Sequence, residues 1–229
     1  MRTRLATSLL AAAALAAGAW LASDPTVMGW NRAVVALLRP LALRWPWLNI
    51  VWVIAGLPVT AAVLGVALWR MSRLRRHWPV IAAMAVAGSL VELLCKHFVA
   101  LPRPSEVPAP VFWNQLVGAL NLGPSNLTPL LHWLHPHVRG ETGSTLFPGS
   151  YPSGHVYRTT FLTGMLAPPG RRLWAAPVVV AVAFMTVATG GHWAWDTLGG
   201  ALLGIAAVSL ATPPGPIRVH RLEKTPGQR

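Results

Sequence analysis

Acidic residues are scarce in this 229-residue chain: Asp24, Glu92, Glu106, Glu141, Asp196 and Glu223 are the full set. So few carboxylates cannot solubilise a surface, and all charged residues together make up 11%, against roughly 25% in an ordinary soluble domain. Cys95 stands alone, which excludes an intramolecular disulfide and any multi-cysteine metal site. Lysine occurs only at positions 96 and 224. What is abundant is apolar: 54% of the residues are hydrophobic, too many for intrinsic disorder and too many for one small core to bury. A membrane protein remains. The net charge of +13 does not point to nucleic acid, because the basic residues sit in short clusters between apolar runs rather than along one polar face.

About 18 apolar residues cross the hydrocarbon as a helix, since only helices and closed barrels satisfy their own backbone there. Six stretches are expected to do so, at about 5–22, 50–69, 78–99, 152–167, 173–190 and 196–212. The fourth carries His155 and Arg158, and ionisable groups inside a span are expected where a site faces the bundle interior. The expected fold is therefore all-α, a single six-helix integral membrane bundle over residues 1–229 with an outer loop at 103–151 and a cytoplasmic tail at 213–229. The first stretch also has the basic start, alanine-rich run and small triplet Ala17, Gly18, Ala19 of a cleavable signal peptide. Its apolar length favours a retained span. Trp30 to Leu48 reads as an amphipathic helix on the outer surface, with Arg32 and Arg39 among Val34, Val35, Leu37, Leu38 and Leu41.

Basic residues accumulate in short cytoplasmic loops. With the N-terminus inside, Arg2, Arg4, Arg70, Arg73, Arg75, Arg76, Arg171, Arg172, Arg218, Arg221, Lys224 and Arg229 all fall on the cytoplasmic side, twelve of the nineteen basic residues. Trp69, Trp78 and Trp174 then mark inner helix ends, and Trp20, Trp52, Trp193 and Trp195 outer ones. The expected location is a bacterial-type plasma membrane with both termini inside.

Three groups of polar residues share the outer membrane level in this threading. Lys96, Arg103 and Pro104 lie at and just past the end of the third span, Pro152 to His155 begin the fourth, and His192 and Asp196 begin the sixth. His192 and Asp196 are four apart, so on a helix the carboxylate can hold one ring nitrogen while the other attacks. His155 is a second imidazole, suited to proton transfer. Lys96, Arg103 and Arg158 supply positive charge that is costly near lipid without an anion. Ser153 and Gly154 precede a helix, where backbone N–H groups and the lack of a side chain let an anion approach. Two histidines, three cations and a helix N-terminus describe a phosphate site. Glu92, four before Lys96, is expected to pair with that lysine; Arg158 could pair with Glu92 instead of binding substrate. His132, His135 and His137 are read as a surface loop around Pro136 rather than a metal site, and no metal or other cofactor is expected.

These motifs resemble those of the type 2 phosphatidic acid phosphatase (PAP2) superfamily, in its membrane lipid phosphatase branch. Lys96 to Pro104 matches the first motif and Pro152-Ser153-Gly154-His155 the second; His192 and Asp196 match the third, although Met185 and Thr186 stand where the family has Ser and Arg. The resemblance implies metal-free phosphoryl transfer to His192, oriented by Asp196, with His155 as general acid and Lys96, Arg103, Ser153 and Gly154 holding the phosphate. Arg158, one helical turn past His155, could return the charge missing at Thr186. The substrate implied is a lipid phosphate or diphosphate, preferably a polyprenyl carrier; phosphatidylglycerol phosphate, phosphatidic acid and lipid A are the alternatives. A lipid-phosphate binder or transporter without turnover is the rival from another class; a transporter is expected to show discontinuous helices and repeat symmetry, and the sequence displays neither.

Overall fold

A computed structural model describes residues 2–99, 101, 104, 149–168 and 170–212. The histidine cluster at 132–137, Arg103, most of the expected outer loop and the tail from 213 lie outside the described residues. All regular structure among the described residues is helical: α1 (Arg2–Leu21), α2 (Pro25–Arg44), a 3-10 turn (Pro46–Ile50), α3 (Val51–Ile54), α4 (Leu57–Arg70), α5 (Ser72–Arg75), α6 (Trp78–Phe98), α7 (Gly154–Leu166), a 3-10 turn (Arg172–Ala175), α8 (Ala176–Ala188) and α9 (Ala194–Ala211). The all-α expectation stands.

Among the described residues two helices, α6 and α9, are long and apolar enough to cross a membrane, and up to four spans result if each of two bent pairs counts as one. At 1.5 Å per residue, the 13-residue α7 and α8 reach about 20 Å each, short of the roughly 30 Å hydrocarbon thickness. The stretch expected at 50–69 is not one helix. It breaks at Ala55 and Gly56 and bends by 54°, because Gly56 takes an extended conformation as N-cap and Pro58 removes an N–H that a continuous helix would need. The amphipathic helix expected from Trp30 begins earlier, at Pro25, where the Asp24 carboxylate accepts from the N–H groups of Thr26 (2.8 Å) and Val27 (3.3 Å) and proline occupies the first turn. It turns 91° from α1.

The centre of the fold is α9, which packs against α1 on one side and α7 on the other. The α7–α9 contact is close because it is built on small residues. A Cβ added at Gly200 would run into the Ser153 carbonyl, and one at Gly204 into Thr160, while Gly164 faces Val208. The Tyr151 hydroxyl donates to the Leu15 carbonyl at 2.9 Å, tying α1 to the segment that leads into α7, and burial pushes that phenol's pKa above its usual range. At the far end of α7, Arg73 donates to the carbonyls of Met165, Leu166 and Ala167, the helix's last acceptors.

The tryptophans expected at the membrane interfaces divide into two sets. Trp20, Trp69, Trp78 and Trp174 are exposed, as interfacial rings are. Trp52, Trp193 and Trp195, also expected as outer interfacial markers, instead turn toward protein: Trp193 is buried, and the Trp195 indole donates to the Gly18 carbonyl at 2.8 Å.

Candidate functional site

The end of α6 and the start of α7 are stitched together by backbone. Gly149 donates to the Lys96 carbonyl (3.0 Å) and Ser150 to that of Leu101 (2.9 Å). Ser153 then caps α7, its Oγ accepting from Val156 N–H at 3.5 Å, while its own N–H donates to the Asp196 carbonyl at 2.8 Å. One residue therefore joins the second polar group to the third. Both the Ser153 N–H and the Val156 N–H at the start of α7 are thus spent on protein acceptors.

His192 sits in a tight loop between α8 and α9. Gly190 adopts φ +78°, a left-handed conformation that side chains resist, and the Thr186 carbonyl accepts from the N–H groups of both Gly191 (3.1 Å) and His192 (3.3 Å). Thr186 is itself fully buried with its hydroxyl on the Ala183 carbonyl (2.9 Å), so its visible work is to hold the histidine loop. Asp196 lies in the first turn of α9. Its Oδ2 accepts from Trp193 N–H at 2.8 Å and stands 3.4 Å from His192 Nδ1, an ion-pair distance rather than a hydrogen bond. The carboxylate thus caps the helix and faces the imidazole, leaving Nε2 on the opposite side of the ring.

His155, in the first turn of α7, has its ring centroid 6.0 Å from that of His192. Trp52 on α3 meets both, at 4.7 Å from His155 in an edge-to-face arrangement and 6.4 Å from His192. Next to His155 in the chain, Glu92 occupies the space beside Gly154, where any Cβ would overlap its carboxylate. Glu92 Oε1 accepts from Lys96 Nζ at 2.5 Å, and Oε2 from Arg158 at 3.3 Å. Both expected pairings of Glu92 are thus present together. Lys96 and Glu92 are 7% and 6% exposed, so the desolvated lysine requires this partner. Two cations surround one carboxylate, and an entering anion meets the surplus positive charge. Arg158 Nε also lies 3.5 Å from the Ala55 carbonyl, in the break between α3 and α4.

The described members of the expected site, Lys96, Ser153, Gly154, His155, Arg158, His192 and Asp196, therefore form a continuous chain of neighbours through Glu92, Gly154 and the Ser153–Asp196 bond. Sequence reasoning missed Trp52 as a site neighbour, the Ala55 carbonyl and the steric role of Gly191, where a Cβ would strike the Trp52 ring. The glycine and proline of Gly56-Leu57-Pro58 were the available signal for the break.

A model of the PAP2 superfamily matches residues 76–213, more than half of the chain and all three polar groups. No curated protein and no solved structure matches it.

Proposed function

The chain belongs to the PAP2 superfamily, and from that premise we propose that it is a membrane phosphatase that removes phosphate from a lipid phosphate or diphosphate. The observation that carries this reading is the juxtaposition of the Asp196-backed His192 with His155 at 6.0 Å, beside the buried Lys96 and the half-buried Arg158, which share the Glu92 carboxylate. His192 Nε2 attacks phosphorus, an N–P bond forms as the P–O bond to the lipid breaks, and His155 gives its proton to the leaving oxygen. Water, deprotonated by His155, then cleaves the phosphohistidine and releases inorganic phosphate. Asp196 stabilises the imidazole that carries the phosphoryl group. Lys96, Arg158, Arg103 and the first-turn amides after Ser153 and Gly154 bind the charged oxygens, and the reaction requires no metal.

A lipid substrate is supported by α6. Its buried side presents Glu92 and Lys96, while Leu90, Leu94 and Phe98 are exposed on the same helix end, so the cations lie one helix-width from an apolar surface. A headgroup in the site leaves the acyl or prenyl chain in the bilayer. Our reading is a six-span bundle in a bacterial-type plasma membrane, termini inside and site outside, which would meet the polyprenyl phosphate carrier released by cell-envelope polymer synthesis.

Phosphate release from purified protein in detergent, measured over a panel of polyprenyl, phosphatidyl and lipid A phosphates, tests the reading. Turnover that survives EDTA, is inhibited by vanadate and vanishes in His192→Ala is expected. Tight binding without release of phosphate in the wild type would identify a binder or transporter instead.

A further inference from the structure

The broken second hydrophobic stretch lies outside residues 76–213, the part of the chain matched to the family, yet it reaches the centre of the site. The break at Ala55 and Gly56 ends α3 after a single turn. That short turn carries Trp52, whose ring contacts His155 edge-to-face at 4.7 Å. The indole is itself held: its N–H donates to Asn49 Oδ1 at 3.3 Å, and Asn49 is buried. On its far side the ring fills the place that a side chain at residue 191 would take. An oriented aromatic wall between the histidine loop and the start of α7 is therefore built from three separate parts of the chain.

We propose that Trp52 is a positioning residue for His155, fixing the imidazole so that its proton reaches the leaving-group oxygen, and that residue 191 is glycine to admit the indole. The inference rests on the phosphatase reading above. An imidazole in the first turn of a helix can swing about two side-chain torsions, and a proton donor contributes only from hydrogen-bond reach of the oxygen it protonates. With Trp52 in place, rotation toward α3 is closed. Trp52 is nearer His155 (4.7 Å) than His192 (6.4 Å), so its loss falls on the proton-donating step more than on nucleophilic attack. The protonation balance is ordinary: His155 loses the proton that the lipid alkoxide gains, and recovers it from water in the second half-reaction.

Leaving-group dependence separates this role from simple structural support. An alkyl lipid phosphate needs its leaving oxygen protonated, whereas a nitrophenyl phosphate leaves as a stable phenolate without help. Trp52→Ala is expected to lower kcat on the lipid phosphate by about tenfold or more beyond its effect on the nitrophenyl ester, within the range general acids contribute, with KM little changed. Trp52→Phe should recover most of the difference. Gly191→Ala, which displaces the indole without removing it, should show the same bias toward the lipid substrate, and carries the comparison if Trp52→Ala does not survive extraction. Equal losses on both substrates, or none on either, would overturn the proposal while leaving the phosphatase reading intact. A wild type inactive on every phosphate ester would remove both.

Discussion

Glu92 rests its carboxylate against the Cα of Gly154, so close that a methyl group on that carbon would overlap it. The acid that binds Lys96 and Arg158 is thereby placed at the start of the helix carrying His155. Gly154→Ala should drive the carboxylate away and scatter both cations, lowering kcat/KM by about a hundredfold, the equivalent of ~3 kcal/mol of transition-state stabilisation. Steady-state kinetics on folded, detergent-extracted protein measures it, and near-normal kinetics would mean that the Glu92 contact has no part in turnover.

Glu92→Gln keeps the shape of the side chain and removes its charge. Two cations then share a low-dielectric site without a counter-ion, which should cost about 3 kcal/mol of stability, seen as a lower Tm in detergent. The same surplus charge should draw in anions. Inorganic phosphate is therefore expected to inhibit Glu92→Gln at lower concentration than wild type; an unchanged inhibition constant would place Glu92 outside the field felt by phosphate.

Arg158 stands one turn past His155 and offers its guanidinium beside Lys96, while Thr186 occupies the position at which the family has arginine. Arg158→Ala should lose about a hundredfold in kcat, and Arg158→Lys should regain only part, because a point charge lacks the bidentate fork. Wild-type turnover in folded Arg158→Ala would leave Arg158 as the structural partner of Glu92 alone.

Sidedness has a two-position test. Ser23, in the turn between α1 and α2, and Ser72, at the start of α5, are both exposed and fall on opposite sides in the proposed topology. With Cys95 replaced by serine, Ser23→Cys should react with a membrane-impermeant thiol reagent in intact cells and Ser72→Cys only after lysis. The reverse pattern would turn the site to the cytoplasm.

Helix content and much of the site were readable from local spacing: Glu92 and Lys96 are one helical turn apart, and α6 and α9 are continuous apolar runs, whereas His192 faces Asp196 from the loop before α9 rather than from the helix that the four-residue spacing suggests. The break at Gly56 was less visible, since hydropathy averages across an N-cap and a proline without registering them. The contact of Trp52 with His155 was hidden for a related reason: a tryptophan near a helix end reads as interfacial, and its edge-to-face packing on a histidine distant in sequence is a tertiary relationship that spacing does not register. The two partners of Glu92 were each foreseeable singly; that they bind it together depends on the bare Gly154, a tertiary relationship no spacing encodes.

Gly200 and Gly204 lock α7 to α9, Ser153 bonds to Asp196 at one end of α7, and Arg73 closes the other. His155, at the start of α7, and His192, in the short loop that Thr186 braces before α9, thus stand on segments tied directly to one another. In the proposed phosphatase the two imidazoles are then held near each other before substrate arrives, and little ordering entropy is spent on bringing them together. Amide hydrogens along the facing sides of α7 and α9 should consequently be among the slowest in the chain to exchange with solvent, and should remain so whether or not phosphate is bound.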